Sequence, residues 1–217
     1  MNSIVIFVKY PTPGKVKTRL GAQVGTVLAA NLYRLFMEQT FTLVKKAAVS
    51  HVFVAYEPAE LLDEFNKIIP PAFHHFPQIG ENLGQRLIHA FEQVFSQHSD
   101  KVIILGSDSP TLPIEIVGEA FNRLKSFDLV LGPAEDGGYY LIGLKQPNKQ
   151  LFENIQWSST SVLQATVMQA RELNLTYSML PVWYDVDEVE TLQRAAQDDV
   201  SGKIKATLQQ HSEIRFS

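Results

Sequence analysis

The sequence predicts an α/β protein with a mostly parallel central sheet, folded as a single domain over residues 1–217. Short β-branched runs alternate with longer segments of helical period, which is the pattern of strands joined by crossover helices. Several runs, SIVIFV at 3–8 and KVIILG at 101–106 among them, are apolar on both faces, as strands covered by helices on both sides must be. No internal repeat, low-complexity tract or linker rich in Gly, Ser or charge divides the chain.

In order, strands are expected at SIVIFV (3–8), HVFVAY (51–56), AFHHF (72–76), KVIILG (101–106), DLVLG (128–132), YYLIGL (139–144) and LTYSML (175–180). The spacing of Leu28, Leu32, Leu35, Phe36, Leu43 and Val44 predicts a helix over 26–47. Leu87, Phe91, Val94 and Phe95 predict another over 83–95, and Pro113 suits the first turn of a third over 113–125. Helices at 161–172 and 189–197 complete the set, and residues 133–185 read as a less regular subregion over the sheet.

Composition narrows the function classes. Lys+Arg 19 against Asp+Glu 23 leaves a net charge of −4, so the chain as a whole presents no electrostatic footprint for a nucleic acid or an anionic membrane. The absence of cysteine (Cys 0) excludes disulfides, thiolate catalysis and Cys-built zinc or iron–sulfur sites. The apolar run near the N-terminus is too short for a signal segment, and no stretch approaches the roughly 20 apolar residues of a membrane span. The expectation is a cytoplasmic protein with small-molecule partners, no nucleic acid and no membrane span. His74 and His75 are adjacent on a strand and point to opposite faces, which argues against a paired zinc site.

Ligands of open α/β sheets bind beyond the carboxyl ends of the strands, so the loops there carry the candidates. In PTPGKVKTRLG, Pro13 and Gly14 turn the chain and Lys15, Lys17 and Arg19 supply many donors and no acceptors, a composition suited to phosphate oxygens. The spacing is not that of a P-loop, and a solvated loop before a helix is the alternative. Asp108 in GSDSP stands where an apolar strand stops. A carboxylate there suits Mg²⁺, and an Asx-turn or helix cap is the alternative. Asp185 and Asp187 flank Val186 and would face one side of an extended chain, while Asp187 with Glu190 also has the spacing of a capping box. In EDGGYY, Asp136 could bond a hydroxyl or take its proton, Gly137 and Gly138 allow close approach, and Tyr139 or Tyr140 could cover a sugar face. A hairpin turn explains the same residues. Gly80, Gly84 and Arg86 in QIGENLGQRL enter a helix and suit either a nucleotide or a plain connection. Trp157, Ser158 and Thr160 look first like a helix start with a packing aromatic.

Taken together and in order, PTPGKVKTRL, LGQRL, IILGSDSPTLP, GPAEDGGYYLIGL, WSSTSVL and LPVWYDVDEVETL closely resemble the motifs of a bacterial family of small glycosyltransferase-like proteins, long labelled a domain of unknown function. That family belongs to the nucleotide-diphospho-sugar transferase superfamily and includes members assigned to arsenosugar biosynthesis. The chain also looks like a relative of 2-phospholactate and molybdenum-cofactor guanylyltransferases. The resemblance implies a GT-A, Rossmann-like three-layer fold with a nucleotide at the carboxyl edge and Mg²⁺ or Mn²⁺ on its phosphates. It implies Asp108 and Asp187 as metal ligands. Pro13, Gly14, Lys15, Lys17, Arg19, Gly80, Gly84 and Arg86 would then bind the nucleotide and its phosphates, and Asp136, Gly137, Gly138, Tyr139, Trp157 and Ser158 the sugar or acceptor. Glu188 replaces the Thr of the usual DVDT pattern, Thr191 stands near the place of its later Asp, and Ser159 stands where Thr is usual.

Two transfers fit this set. A glycosyltransferase would direct an acceptor hydroxyl at the anomeric carbon of a nucleotide sugar, with Asp136 as base and Asp108 and Lys17 at the diphosphate. A nucleotidyltransferase would join a nucleoside monophosphate from a triphosphate to a phosphorylated small molecule and release pyrophosphate. The basic first loop favours the second and the family resemblance the first, which leads. A nucleotide-binding module without catalysis is the third reading. The sequence assigns neither base, sugar, acceptor nor oligomeric state.

Overall fold

The computed structural model describes residues 1–211. Its elements are β1 (Asn2–Lys9), α1 (Thr18–Val24), α2 (Thr26–Lys45), β2 (His51–Glu57), α3 (Leu62–Phe65), β3 (His74–Pro77), α4 (Leu83–Phe95), β4 (Lys101–Gly106), α5 (Ile114–Arg123), β5 (Leu129–Pro133), β6 (Tyr139–Leu144), α6 (Val162–Glu172), β7 (Tyr177–Met179), α7 (Val189–Asp198) and α8 (Lys203–Gln210). The seven strands form one sheet in the order β3-β2-β1-β4-β6-β5-β7. Every neighbouring pair is parallel except those of β6, which runs antiparallel to both β4 and β5. Its reversal follows from chain length: the short Ala134–Gly138 turn joining β5 to β6 permits only an antiparallel return, since a parallel one needs a crossover of a dozen or more residues. EDGG is therefore a hairpin turn.

The sheet is buried on both sides because its side chains alternate. Ile4, Ile6 and Val8 of β1 face a core shared with Leu32 and Phe36 of α2, Val117 and Phe121 of α5, Leu192 of α7 and Ile204 of α8. Val5, Phe53 and Ile104 face the opposite core with Leu87, Phe91 and Val94 of α4 and Ala170 of α6. The result is three layers, helices on each side of a mixed sheet. His74 and His75 take opposite faces, His74 beside Phe53 and His75 beside Tyr56.

Helix α1 departs from the sequence expectation, which placed the first helix at 26. Gly25, at φ 90 and ψ 142, donates its N–H to the Gly21 carbonyl at the end of α1 and then opens α2, so a glycine in a conformation that a Cβ disfavours splits what continues as two helices. Short α3 and α8 bury only Phe65 and Ile204 respectively, too little periodic signal to be visible in sequence. Among the described residues no helix is long and apolar enough to cross a membrane.

Candidate active site

Strand order reverses between β1 and β4: β2 and β3 lie to one side of β1, and the later strands beyond β4. Such a switch point opens a crevice at the carboxyl edge. Here it is a cleft of about 600 Å³, bordered by the first loop, the loop after β4, the start of α4 and the strap before α7.

The first loop is shaped by its turn. Lys15 N–H donates to the Thr12 carbonyl at 3.0 Å, with Gly14 at φ 77 in the third position, the geometry of a type II turn begun by Pro13. The three cations then separate. Lys15 is exposed at the cleft. Lys17 turns inward, its side chain only 3% exposed, and its ammonium lies 2.5 Å from Asp108 Oδ1 and 2.9 Å from Asp187 Oδ1. Arg19 stays outside and holds Asp187 Oδ2 at 2.5 Å and Glu188 at 3.4 Å. Burial works against the Lys17 ammonium, but the Asp108 and Asp187 carboxylates outweigh it and hold its pKa above the ordinary lysine value. Burial likewise works against the Asp187 carboxylate, and Lys17 and Arg19 nevertheless keep it below the usual range. Lys17 achieves this reach from a left-handed backbone, φ 46 and ψ 48, at the start of α1.

The strap carrying Asp185 and Asp187 is bound to the loop after β4: Val186 N–H donates to the Asp108 carbonyl at 2.9 Å. The two aspartates do not share a partner. Asp185 accepts the Ser109 hydroxyl at 2.5 Å, and burial, reinforced by Asp108, raises its pKa to about 6. Asp187 is also not the helix cap anticipated from its spacing to Glu190. Glu188 is the N-cap of α7, and the Thr191 hydroxyl accepts the N–H of Asp187 at 3.2 Å and of Glu188 at 3.3 Å. The two departures from the DVDT pattern thus form one cap between them, which frees the Asp187 carboxylate for the cations.

The loop before α4 is fastened rather than open. Asn82 caps α4 by accepting Gln85 N–H at 3.0 Å, and Gln85 returns the contact to Glu81 N–H at 2.8 Å. Arg86 donates to the Gly80 carbonyl at 3.0 Å and pairs with Glu57 at 2.5 Å, so its guanidinium holds the loop while its side chain borders the cleft. Gly80, at φ 142, lies so close to α4 that a Cβ would come 2.6 Å from Gln85 Cβ. Gly84 faces the Trp157 indole, which a Cβ would approach to 2.7 Å. Both glycines are required by packing, and Trp157 is a packing residue under α4; Ser158 beside it lines the cleft.

The EDGG turn sits on the segment 157–161. Gly137, at φ 90, places its Cα where only hydrogen fits against the Thr160 carbonyl, and its own carbonyl accepts Leu163 N–H at 3.0 Å. Asp136 Oδ1 accepts the Gly138 N–H at 2.9 Å, an Asx-turn on the exposed surface, and Asp136 does not border the cleft. Tyr140 is largely buried and donates to the Pro181 carbonyl at 2.8 Å, and both Tyr139 and Tyr140 border the cleft.

Sequence reasoning missed three polar supports. Tyr33, on the buried face of α2, accepts Lys9 N–H at 3.0 Å and bonds Ser107 at 2.9 Å, and burial pushes its pKa up to about 12. Gln78 donates its amide to the Val8 carbonyl at 3.1 Å and the Ala55 carbonyl at 2.9 Å, tying the ends of β1 and β2 beneath the cleft. Glu57 anchors Arg86. Tyr33 and Glu57 lie outside every motif and Gln78 only opens QIGENLGQRL, and a single polar side chain carries no local sign of a long-range partner.

The donor set admits a divalent cation. The Asp108 side chain remains 44% exposed and that of Asp187 34%, with the Lys17 ammonium between them. Among the described residues no cluster of three or more His, Asp or Glu side chains is arranged for a metal. Two carboxylates suit Mg²⁺ or Mn²⁺ whose remaining positions are filled by phosphates and water, not a cage built by protein alone.

This sheet order and cleft define the nucleotide-diphospho-sugar transferase class of fold. A crystal structure of a protein from Desulfovibrio desulfuricans G20, provisionally named a nucleotide-diphospho-sugar transferase, superposes with a TM-score of 0.90 at 36% identity, covering 98% of this chain and 95% of that one. The 4-diphosphocytidyl-2C-methyl-D-erythritol synthase of Anaerococcus prevotii DSM 20548 has a TM-score of 0.58 at 11% identity, covering 91% and 95% of the two chains. Rv0371c of Mycobacterium tuberculosis H37Rv, in complex with manganese, has a TM-score of 0.56 at 10% identity over 90% and 97%. No curated protein matches the chain. Residues 40–159 match the family described as "Uncharacterized protein conserved in bacteria (DUF2064)", and the chain belongs to that family.

Proposed function

We propose that this chain is a metal-dependent transferase that takes a nucleotide-activated donor in the cleft between β1 and β4, and that it moves a sugar from a nucleotide sugar to a small acceptor. The single observation that carries the reading is the convergence of Asp108 and Asp187 on Lys17 at the carboxyl edge, with Lys15 and Arg19 on the same loop. Carboxylates and cations so arranged suit a diphosphate and its counter-ion. Asp108 and Asp187 would hold Mg²⁺ or Mn²⁺, which when bound supplies charge stabilisation to a departing diphosphate. Lys17 and Lys15 donate to the phosphate oxygens as negative charge grows on them. Asp136 takes the acceptor proton once an acceptor lies against the EDGG turn. The manganese of Rv0371c and the name of the Desulfovibrio relative agree with this reading.

One observation favours a second reading. Asp136 is held in its turn by Gly138 N–H and lies outside the cleft border, whereas Lys15 and Lys17 border it. That is the distribution expected where a pyrophosphate leaves and the acceptor is its own nucleophile, as in nucleotidyl transfer from a nucleoside triphosphate. A thermal-shift panel of triphosphates and nucleotide sugars with Mn²⁺ separates the two. Greater stabilisation by nucleotide sugars supports sugar transfer, and greater stabilisation by triphosphates overturns it in favour of nucleotidyl transfer. Asp136→Asn keeps an oxygen for Gly138 N–H but no base, and lowers sugar transfer roughly 10²–10⁴-fold if Asp136 is the base. Nucleotide binding with no product from any donor and acceptor pair would leave the non-catalytic module as the function.

A further inference from the structure

The Lys17 ammonium lies within hydrogen-bond distance of one oxygen from each of Asp108 and Asp187, and its side chain is almost wholly withdrawn from solvent. It therefore stands where a cation between those carboxylates would stand. An ammonium and a divalent cation cannot both sit there: they would compete for the same lone pairs and repel each other at contact distance. We propose that Lys17 is the resident counter-ion of the Asp108–Asp187 pair, and that a divalent cation enters by displacing its ammonium toward the phosphates of the donor.

The proposal rests on the reading of Asp108 and Asp187 as the metal pair. Three features of the chain support the exchange. Lys17 is the last residue before α1 and holds a left-handed backbone, a conformation that its Cβ disfavours and that surrounding contacts must maintain. No side chain caps α1 at this position, so moving the ammonium breaks no helix cap. Asp187 keeps a second cation, Arg19 at 2.5 Å, when Lys17 leaves, and so the strap retains an anchor. The metal-free protein thereby avoids an uncompensated Asp108 carboxylate beside an Asp187 held by Arg19 alone, and metal without phosphate would leave a displaced ammonium with no partner. Metal and donor should consequently bind together, each weakly in the absence of the other.

The experiment measures Mn²⁺ binding by calorimetry and electron paramagnetic resonance, alone and with inorganic pyrophosphate. Lys17→Met preserves the stem and removes the competitor. It is expected to bind Mn²⁺ alone about tenfold or more tightly than the unaltered protein, because the lysine no longer occupies the pair, and to bind pyrophosphate with Mn²⁺ more weakly. Lys17→Arg keeps a cation there and is expected to keep Mn²⁺ alone weak. A lysine with only a structural role would weaken both ligands together in Lys17→Met. Should that variant fail to fold, acetylation of the unaltered protein with acetic anhydride, read at Lys17 by mass spectrometry, tests the same point. Mn²⁺ alone should expose the amine and pyrophosphate should protect it again. Equal or weaker Mn²⁺ binding by folded Lys17→Met, or acetylation indifferent to bound Mn²⁺, overturns the displacement. An unaltered protein that binds no Mn²⁺ even with pyrophosphate overturns instead the metal reading on which it stands.

Discussion

The Asp108 carbonyl accepts the N–H of Val186 at 2.9 Å, so the loop that ends β4 and the strap that begins α7 are joined main chain to main chain. This bond sets the separation of the Asp108 and Asp187 carboxylates and lets one lysine reach both. A backbone bond, unlike a side-chain contact, is not lost by substituting either residue, so the carboxylates can be removed individually with the frame intact.

Asp108→Ala should therefore lower turnover by roughly 10²–10³, the cost of losing one strong electrostatic contact to the developing charge, while the melting temperature falls little because Asp187 still compensates Lys17. Steady-state rates on the donor identified by the thermal-shift panel check this. Unchanged turnover with metal dependence retained would remove Asp108 from the reaction.

Asp185 makes stability depend on pH. Its folded pKa, about 6, lies above the ordinary 3.8 because burial and Asp108 disfavour its charge. Between those values the native protein holds a proton that the unfolded chain releases, and stability falls as pH rises through the window. Asp185→Asn, whose amide oxygen can still accept the Ser109 hydroxyl, should raise stability near neutral pH and remove that part of the slope. Urea denaturation across the window measures both effects, and a slope identical to that of the unaltered protein would contradict the assignment.

Gly84→Ala should destabilise by about 1–3 kcal/mol, as overpacking of a tight contact does, because the new Cβ would approach the Trp157 indole to 2.7 Å. Adding Trp157→Leu should return part of the loss. Additive effects in the double variant would show that the two residues are not coupled.

Arg86→Met leaves Glu57 and the Gly80 carbonyl without their donor and should cost about 1–3 kcal/mol. A cycle with Glu57→Gln should show coupling of about 0.5–3 kcal/mol. If Arg86 fastens the loop, nucleotide affinity falls in Arg86→Met only as far as the loop loosens, and Glu57→Gln shares part of that fall. A loss confined to Arg86→Met would mean that the guanidinium reaches the nucleotide directly.

Most of the sheet was legible from local pattern. SIVIFV, HVFVAY, KVIILG and YYLIGL carry the alternating or continuous apolar signal that pleating imposes, and α4 matches its expected bounds because Leu87, Phe91 and Val94 repeat on one face. The loops at the carboxyl edge were also legible, since the first loop, SDSP and the DVDE strap do converge there. What the sequence by itself determined was thus the alternation of elements and the chemical character of the loops. Tertiary structure alone decided which cation turned inward. Lys15, Lys17 and Arg19 are equivalent in composition and alternate in sequence, yet only Lys17 is buried, because a left-handed residue before α1 directs it toward two carboxylates distant in the chain. It also decided that Glu188 and Thr191 cap α7 and free Asp187, and that Gly84 makes room for Trp157. Pleat and helical period are written in neighbouring residues, whereas charge pairing and close packing join residues far apart in the chain, and those pairings exist only once the sheet has brought its loops to one edge.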